Sequence, residues 1–145
     1  MPQFRQYDPL DIKMSWNGII FTGFAEGTFI TVERNEDAFN MQVGSGGDVV
    51  RVKSNNRSGL ATLTLMQSSP TNDLLSTKSV LDERLGVAGQ VGPLSIVDFN
   101  GTTKIFALNT WIQKPAQVEF SNTASQREWM FACASIDMFI GGHVL

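Results

Sequence analysis

The chain has 145 residues, one cysteine, one histidine and a formal net charge of −3. That length supports one sizeable hydrophobic core, the negative charge offers no overall positive field to draw in DNA or anionic membrane, and a lone cysteine excludes an internal disulfide. Charged residues make up only 17% against a typical ~25%, which suits a surface partly buried against neighbours as well as an ordinary β-protein coated with Ser, Thr, Asn and Gln.

Residues 1–11, with Pro2 and Pro9 on either side of Tyr7 and no apolar signal core, read as an extended N-terminal arm on a chain synthesised in the cytoplasm. Ile12–Trp16 and residues 19–22 flank Asn17-Gly18, a dipeptide that readily supplies the positive φ angles of a type I′ hairpin turn. Residues 28–32 and 60–65 are rich in β-branched and apolar side chains alternating with period two, so both are predicted strands. Between them, residues 33–58 form a segment far longer than the two to six residues that usually join strands.

Beyond it, Ser69 is placed to cap a helix over Thr71–Leu85, with Pro70 tolerated at its start, Asp73 near its positive end and Arg84 and Gly86 at its close. Leu74, Leu81 and Leu85 share a stripe widened by Leu75, and Lys78 and Asp82 are spaced for a helical ion pair, a pattern predicting one helix packed on a sheet. Strands resume at 94–99, turn at Asn100-Gly101, continue over 104–108, and are interrupted at Pro115 before a short piece at 117–120. The last predicted strand, 127–139, is apolar on both faces and therefore central. No run reaches the ~20 apolar residues of a membrane span. A β-rich half, one helix and a second β-rich half give a mainly β protein, an antiparallel sandwich or barrel carrying one helix on its side.

Catalytic chemistry has no visible carrier. The one histidine, His143, lies in a glycine-rich tail, no Gly-x-Ser-x-Gly elbow is present, and one cysteine with one histidine makes no metal-ligand spacing. Gly44-Ser45-Gly46-Gly47 lacks the Gly-Lys-Ser/Thr and following helix of a phosphate-binding loop, and reads as a loop tip. Glu36-Asp37 and Asp82-Glu83 are solvated or interface-rim charges, and Asn56-Arg57-Ser58 has no glycosylation meaning without a secretion signal. Cys133 reads as a small buried hydrophobe, and Trp16, Trp111 and Trp129 as core or interface anchors. The expectation is a non-enzymatic chain with no catalytic, cofactor-binding or metal residues and no cofactor.

The long segment invites a different use. Residues 39–43 and 49–52 can run out and back as a protruding hairpin, and thirteen residues each way at ~3.3 Å reach roughly 40 Å at most. Isolated two-stranded hairpins are marginal in water, so such an arm needs a partner surface. Its charges are Glu33, Arg34, Glu36, Asp37, Asp48, Arg51, Lys53 and Arg57, four of each sign. With apolar Phe39, Met41, Val43, Val50 and Val52, they suit docking on another copy in a head-to-tail contact. The alternative for this segment is a mobile polar surface loop.

Residues 28–39, the stretch Gly47-Asp48-Val49-Val50-Arg51-Val52-Lys53-Ser54-Asn55, and Leu63-Thr64-Leu65-Met66-Gln67 followed by Ser69, Asn72 and Asp73 resemble the tail-tube proteins of contractile-tailed bacteriophages. The resemblance covers nearly the whole chain, is sharpest over residues 27–75, and is weaker before Ile12 and over residues 115–127. It implies one tail-tube-like domain spanning 1–145: two packed antiparallel sheets with one helix at about 71–85, a fold similar to the ring protein of type VI secretion systems. It implies hexameric rings stacked into a tube inside a contractile sheath, with the tape-measure protein and, transiently, ejected DNA in the bore. By the same resemblance residues 33–58 form the stacking loop, so that Glu33, Arg34, Glu36, Asp37, Phe39, Met41, Asp48, Arg51, Lys53 and Arg57 are the candidate contact residues between copies, and the protein resides in the phage tail. Two alternatives remain: another tail ring component, such as a tube terminator or baseplate ring, and a small β-barrel that binds an apolar ligand.

Overall fold

Asn17 and Gly18 both adopt positive φ, 49° and 84°, the geometry that folds two short strands back on each other. In this computed structural model, which describes residues 2, 4–85 and 90–142, that turn joins β1 (Ile12–Trp16) to β2 (Ile19–Ile20). There follow β3 (Ile30–Arg34), β4 (Phe39–Val43), β5 (Val49–Lys53), β6 (Gly59–Met66), α1 (Thr71–Leu85), β7 (Gly92–Asp98), β8 (Lys104–Lys114), β9 (Gln126–Cys133) and β10 (Ile136–Phe139). The fold is mainly β with one helix and two antiparallel sheets. The larger sheet has the order β2-β1-β7-β8-β9-β6-β3, with β10 on β8, and the smaller consists of β4 and β5 alone.

The larger sheet curls on itself, and this curl brings β-layer against β-layer. β1 and β9 are separated by β7 and β8, a distance of about 14 Å in a flat sheet with strands ~4.8 Å apart. Yet the rings of Trp16 and Phe131 meet edge-on at 5.1 Å, and Phe21 stacks on Phe131 at 5.9 Å. The stretch after β2 bridges the two ends: the amide of Phe21 donates to the Met14 carbonyl of β1, while those of Ala25 and Met66 link residues 23–25 to β6 through the carbonyls of Thr64 and Gly23. Trp16, Leu63, Leu65, Leu94, Phe131 and Ile136, all fully buried, fill the enclosed space. Cys133 and Trp129 are buried there too, whereas Trp111 is half-buried.

The helix forms over the expected residues but turns a different face inward. Thr71, Leu75 and Ser79, spaced four apart, are buried, while Leu74, Leu81 and Leu85 are exposed, and no ion pair joins Lys78 to Asp82. The helix start decides this rotation. Ser69 Oγ accepts from the Thr71 amide and donates to the Thr22 carbonyl, Thr71 Oγ1 accepts from the Thr22 amide, and Asn72 Oδ1 accepts from the Trp129 indole. Four polar anchors at one end outweigh a leucine stripe that any neighbouring surface could cover.

Two other expectations change. Residues 117–120 join no strand; Arg127 instead donates to the Glu119 carbonyl and to Ser125 Oγ, holding that connection as an irregular loop. The predicted strand 127–139 is interrupted at Ala134-Ser135, because its inward residues change phase: Arg127, Trp129, Phe131 and Cys133 are buried at even spacing, but the next is Ile136. A period-two strand can make that shift only by an irregularity. Ile136 then lies against Gly59, where a Cβ would sit 2.9 Å from its Cγ2 and 2.8 Å from the Glu33 carbonyl oxygen, so only glycine permits the approach.

Candidate assembly arm

β3 and β6 pair from Ile30↔Leu63 to Arg34↔Gly59. Asn35 and Ser58 continue this ladder by a 3.0 Å backbone bond, and Asn35 Nδ2 also donates to Ser58 Oγ at 2.9 Å. Beyond an irregular root the ribbon re-forms as β4 and β5, from Phe39↔Lys53 to Val43↔Val49, with the Ser54 amide donating to the Ala38 carbonyl. The turn over residues 44–48 closes with Gly44 donating to the Asp48 carbonyl at 2.8 Å. The expected hairpin is thus formed, with strands of five residues that span about 16 Å each at 3.3 Å per residue.

Every residue from 39 to 53 is exposed. Cross-strand partners share a face, so Phe39, Met41, Val43 and Val49 lie together with Arg51 and Lys53, while Val50 and Val52 lie opposite with Asn40 and Gln42. Six apolar or aromatic positions held out in water on a two-stranded ribbon are unfavourable for an isolated chain. Within the first face the Arg51 guanidinium covers the Phe39 ring at 3.5 Å from its centroid, a cation–π contact that stiffens this part of the blade.

The charges that balance along the sequence separate in space. Glu33, Arg34, Glu36, Asp37 and Arg57 stay at the root, while Asp48 stands at the tip and Arg51 and Lys53 on the blade. Glu36 accepts from Ser54 Oγ at 3.2 Å. Arg57 pairs with Asp137 of β10, and its carbonyl accepts from the Ile136 amide, tying the root to the body of the protein. Both side chains are at least half exposed, so this pair contributes little stability. Arg34 is half-buried, and its Nε donates to no acceptor among the described residues.

A groove of about 570 Å³ opens beside the root, lined by Arg34, Arg57 and Lys104 among Phe106, Ile136, Asp137, Met138, Phe139 and Ile140. Sequence reasoning missed its wall. Residues 104–108 alternate with apolar side chains in both phases, and only the curl of the sheet sends Ile105 and Ala107 inward and leaves Phe106 and Leu108 exposed. Among the described residues no three His, Cys, Asp or Glu side chains gather to hold a metal. Burial pushes the Cys133 thiol above its ordinary value of 9.0, opposed by its hydrogen bond with Thr110; the group stands in the core and not at any opening. His143 lies outside the described residues.

Residues 18–141 match the family described as the bacteriophage PhiTE tail tube protein. Structural protein ORF10 of Pseudomonas phage KPP10 is 30% identical over 122 residues, 84% of this chain and 70% of that protein. Among solved structures, the fold is similar to that of a chain of the PVC extracellular contractile injection system sheath-tube complex in its extended state, with a TM-score of 0.59, 12% identity, and 96% of this chain covering 93% of that one. The tube-terminating cap of the anti-feeding prophage gives a TM-score of 0.57 at 6% identity, with 96% and 94% covered. The sheath/tube terminator of the PVC system gives 0.56 at 12% identity, with 97% and 96% covered. At these identities the likeness is one of fold.

Proposed function

This chain belongs to the bacteriophage PhiTE tail tube protein family, and from that premise we propose that it is the repeating subunit of a tail tube. The family is structural and not an enzyme family, and the chain is a structural protein of the phage tail. In this reading the whole chain acts as one tail-tube-like domain, made in the host cytoplasm, with residues 1–11 as a contact arm and 33–58 as the stacking loop. Six copies close into a ring, rings stack inside a sheath, and the bore holds the tape-measure protein before it conducts DNA during ejection. Six copies at −3 each carry −18 per ring, and acids facing the bore would keep DNA from adhering as it passes.

The observation that carries this reading is the two-stranded arm, residues 39–53, exposed along its full length with apolar side chains on both faces. Such a ribbon is stable only when covered, and in a polymer of identical chains the next copy is always present to cover it. Negative-stain electron microscopy of the purified protein at rising concentration tests the proposal. Hollow tubes of uniform width support it; a monomer that persists at every concentration contradicts it. The same grids separate the terminator reading, since a tube terminator stops at single rings.

A further inference from the structure

We propose that the groove at the root of the arm receives the tip of the arm of a second copy of this chain. This rests on the tube-subunit reading and names the contact that stacking would use. The groove carries an unspent positive charge. Arg57 is neutralised by Asp137, but among the described residues the side chains of Arg34 and Lys104 have no carboxylate partner, and they stand beside the exposed rings of Phe106 and Phe139. The tip is its complement. Val43 and Val49 pair across the strands, Val50 follows on the opposite face, and Asp48, whose carboxylate has no partner among the described residues, is the one acid of the blade. An added Cβ at Gly46 or Gly47 would meet nothing within 4 Å, so the turn is a slender, open loop able to enter a cleft.

Charge also sets the register. The root half of the blade carries Arg51 and Lys53, which would meet Arg34 and Lys104 with like charge; only the tip half offers apolar surface and a carboxylate together. A carboxylate between two cations matches their charge in one register, and mismatched registers leave cations facing cations. Tip and groove are different surfaces of one chain, so the contact is heterologous: each docked copy presents a fresh tip, and the repeat propagates along an axis instead of closing into a dimer.

Charge exchange tests this. Asp48→Lys and Lys104→Glu are each expected to keep the melting curve of the unaltered protein and to abolish tube formation. Combining both in one chain restores tubes, as does an equimolar mixture of the two single variants, because copies that alternate along the axis give every tip an opposite charge. Single variants that form tubes normally, or a mixture that stays dispersed, overturn the contact. Cysteine cross-linking separates the contact from the tube: Asp48→Cys mixed with Lys104→Cys under mild oxidation yields joined pairs that neither variant yields alone, with Cys133 buried out of reach. Cross-links without tubes would uphold the contact and overturn the tube reading, whereas tubes without cross-links would do the reverse.

Discussion

The indole nitrogen of Trp16 donates a 2.9 Å hydrogen bond to the carbonyl of Thr110, joining β1 to β8 past the strand that lies between them. That bond exists only because the sheet is curled, and the Trp16 ring meeting Phe131 marks the centre of the curl. Trp16→Phe keeps an aromatic ring but removes the donor and leaves a small void. It should cost about 2–3 kcal/mol, read as a lower midpoint of urea unfolding. An unchanged midpoint would show that the curl does not depend on this bond.

The rotation of α1 gives a paired prediction. Leu75→Ala empties a fully buried site and should destabilise by about 2–4 kcal/mol. Leu81→Ser alters an exposed one and should stay within about 0.5 kcal/mol. Equal losses, measured by the same unfolding curves, would mean that the leucine stripe faces the core after all.

The blade should matter to assembly and hardly at all to folding. Arg51→Glu with Lys53→Glu breaks the contact over Phe39, worth about 0.5–1 kcal/mol at an exposed site, and turns the cationic half of the blade acidic. Thermal unfolding should shift only by that amount, while sedimentation and electron microscopy should show no tubes. Normal tubes from this variant would show that the cations of the blade's root half do not set the register of stacking.

Cys133 supplies a pH signature. Its thiol is raised above 9.0 by burial, so between 9.0 and the raised value the folded chain holds a proton that the unfolded chain has released. Stability from this group is therefore complete below about pH 9 and is lost as pH climbs through the folded value. Thermal melts from pH 8 to 11 should fall more steeply for the unaltered protein than for Cys133→Ala; parallel slopes would show that the thiol titrates alike in both states.

Local chemistry alone settled a good deal. Asn17-Gly18 specified its turn and Ser69 with Pro70 and Asp73 specified where α1 begins, since each depends on torsions or neighbours a few residues away; residues 39–43 and 49–52 suggested a hairpin within the long segment but left a polar loop open beside it. The family was legible as well, through the resemblance carried by residues 28–39, 47–55 and 63–67 with Ser69, Asn72 and Asp73. Tertiary structure decided the rest, because those choices turn on contacts between residues far apart in the chain. Thr22 and Trp129 turned α1 onto Leu75 and left Leu81 in water; Gly59 and Ile136 broke the last strand where its inward phase changed. The root groove joins Arg34 of β3 to Lys104 of β8 and Phe139 of β10. Its three walls come from segments far apart in the chain, and strand pairing brings them together: Phe139 is the ladder partner of Lys104, the Ile136 amide bonds the Arg57 carbonyl, and Arg34 pairs with Gly59.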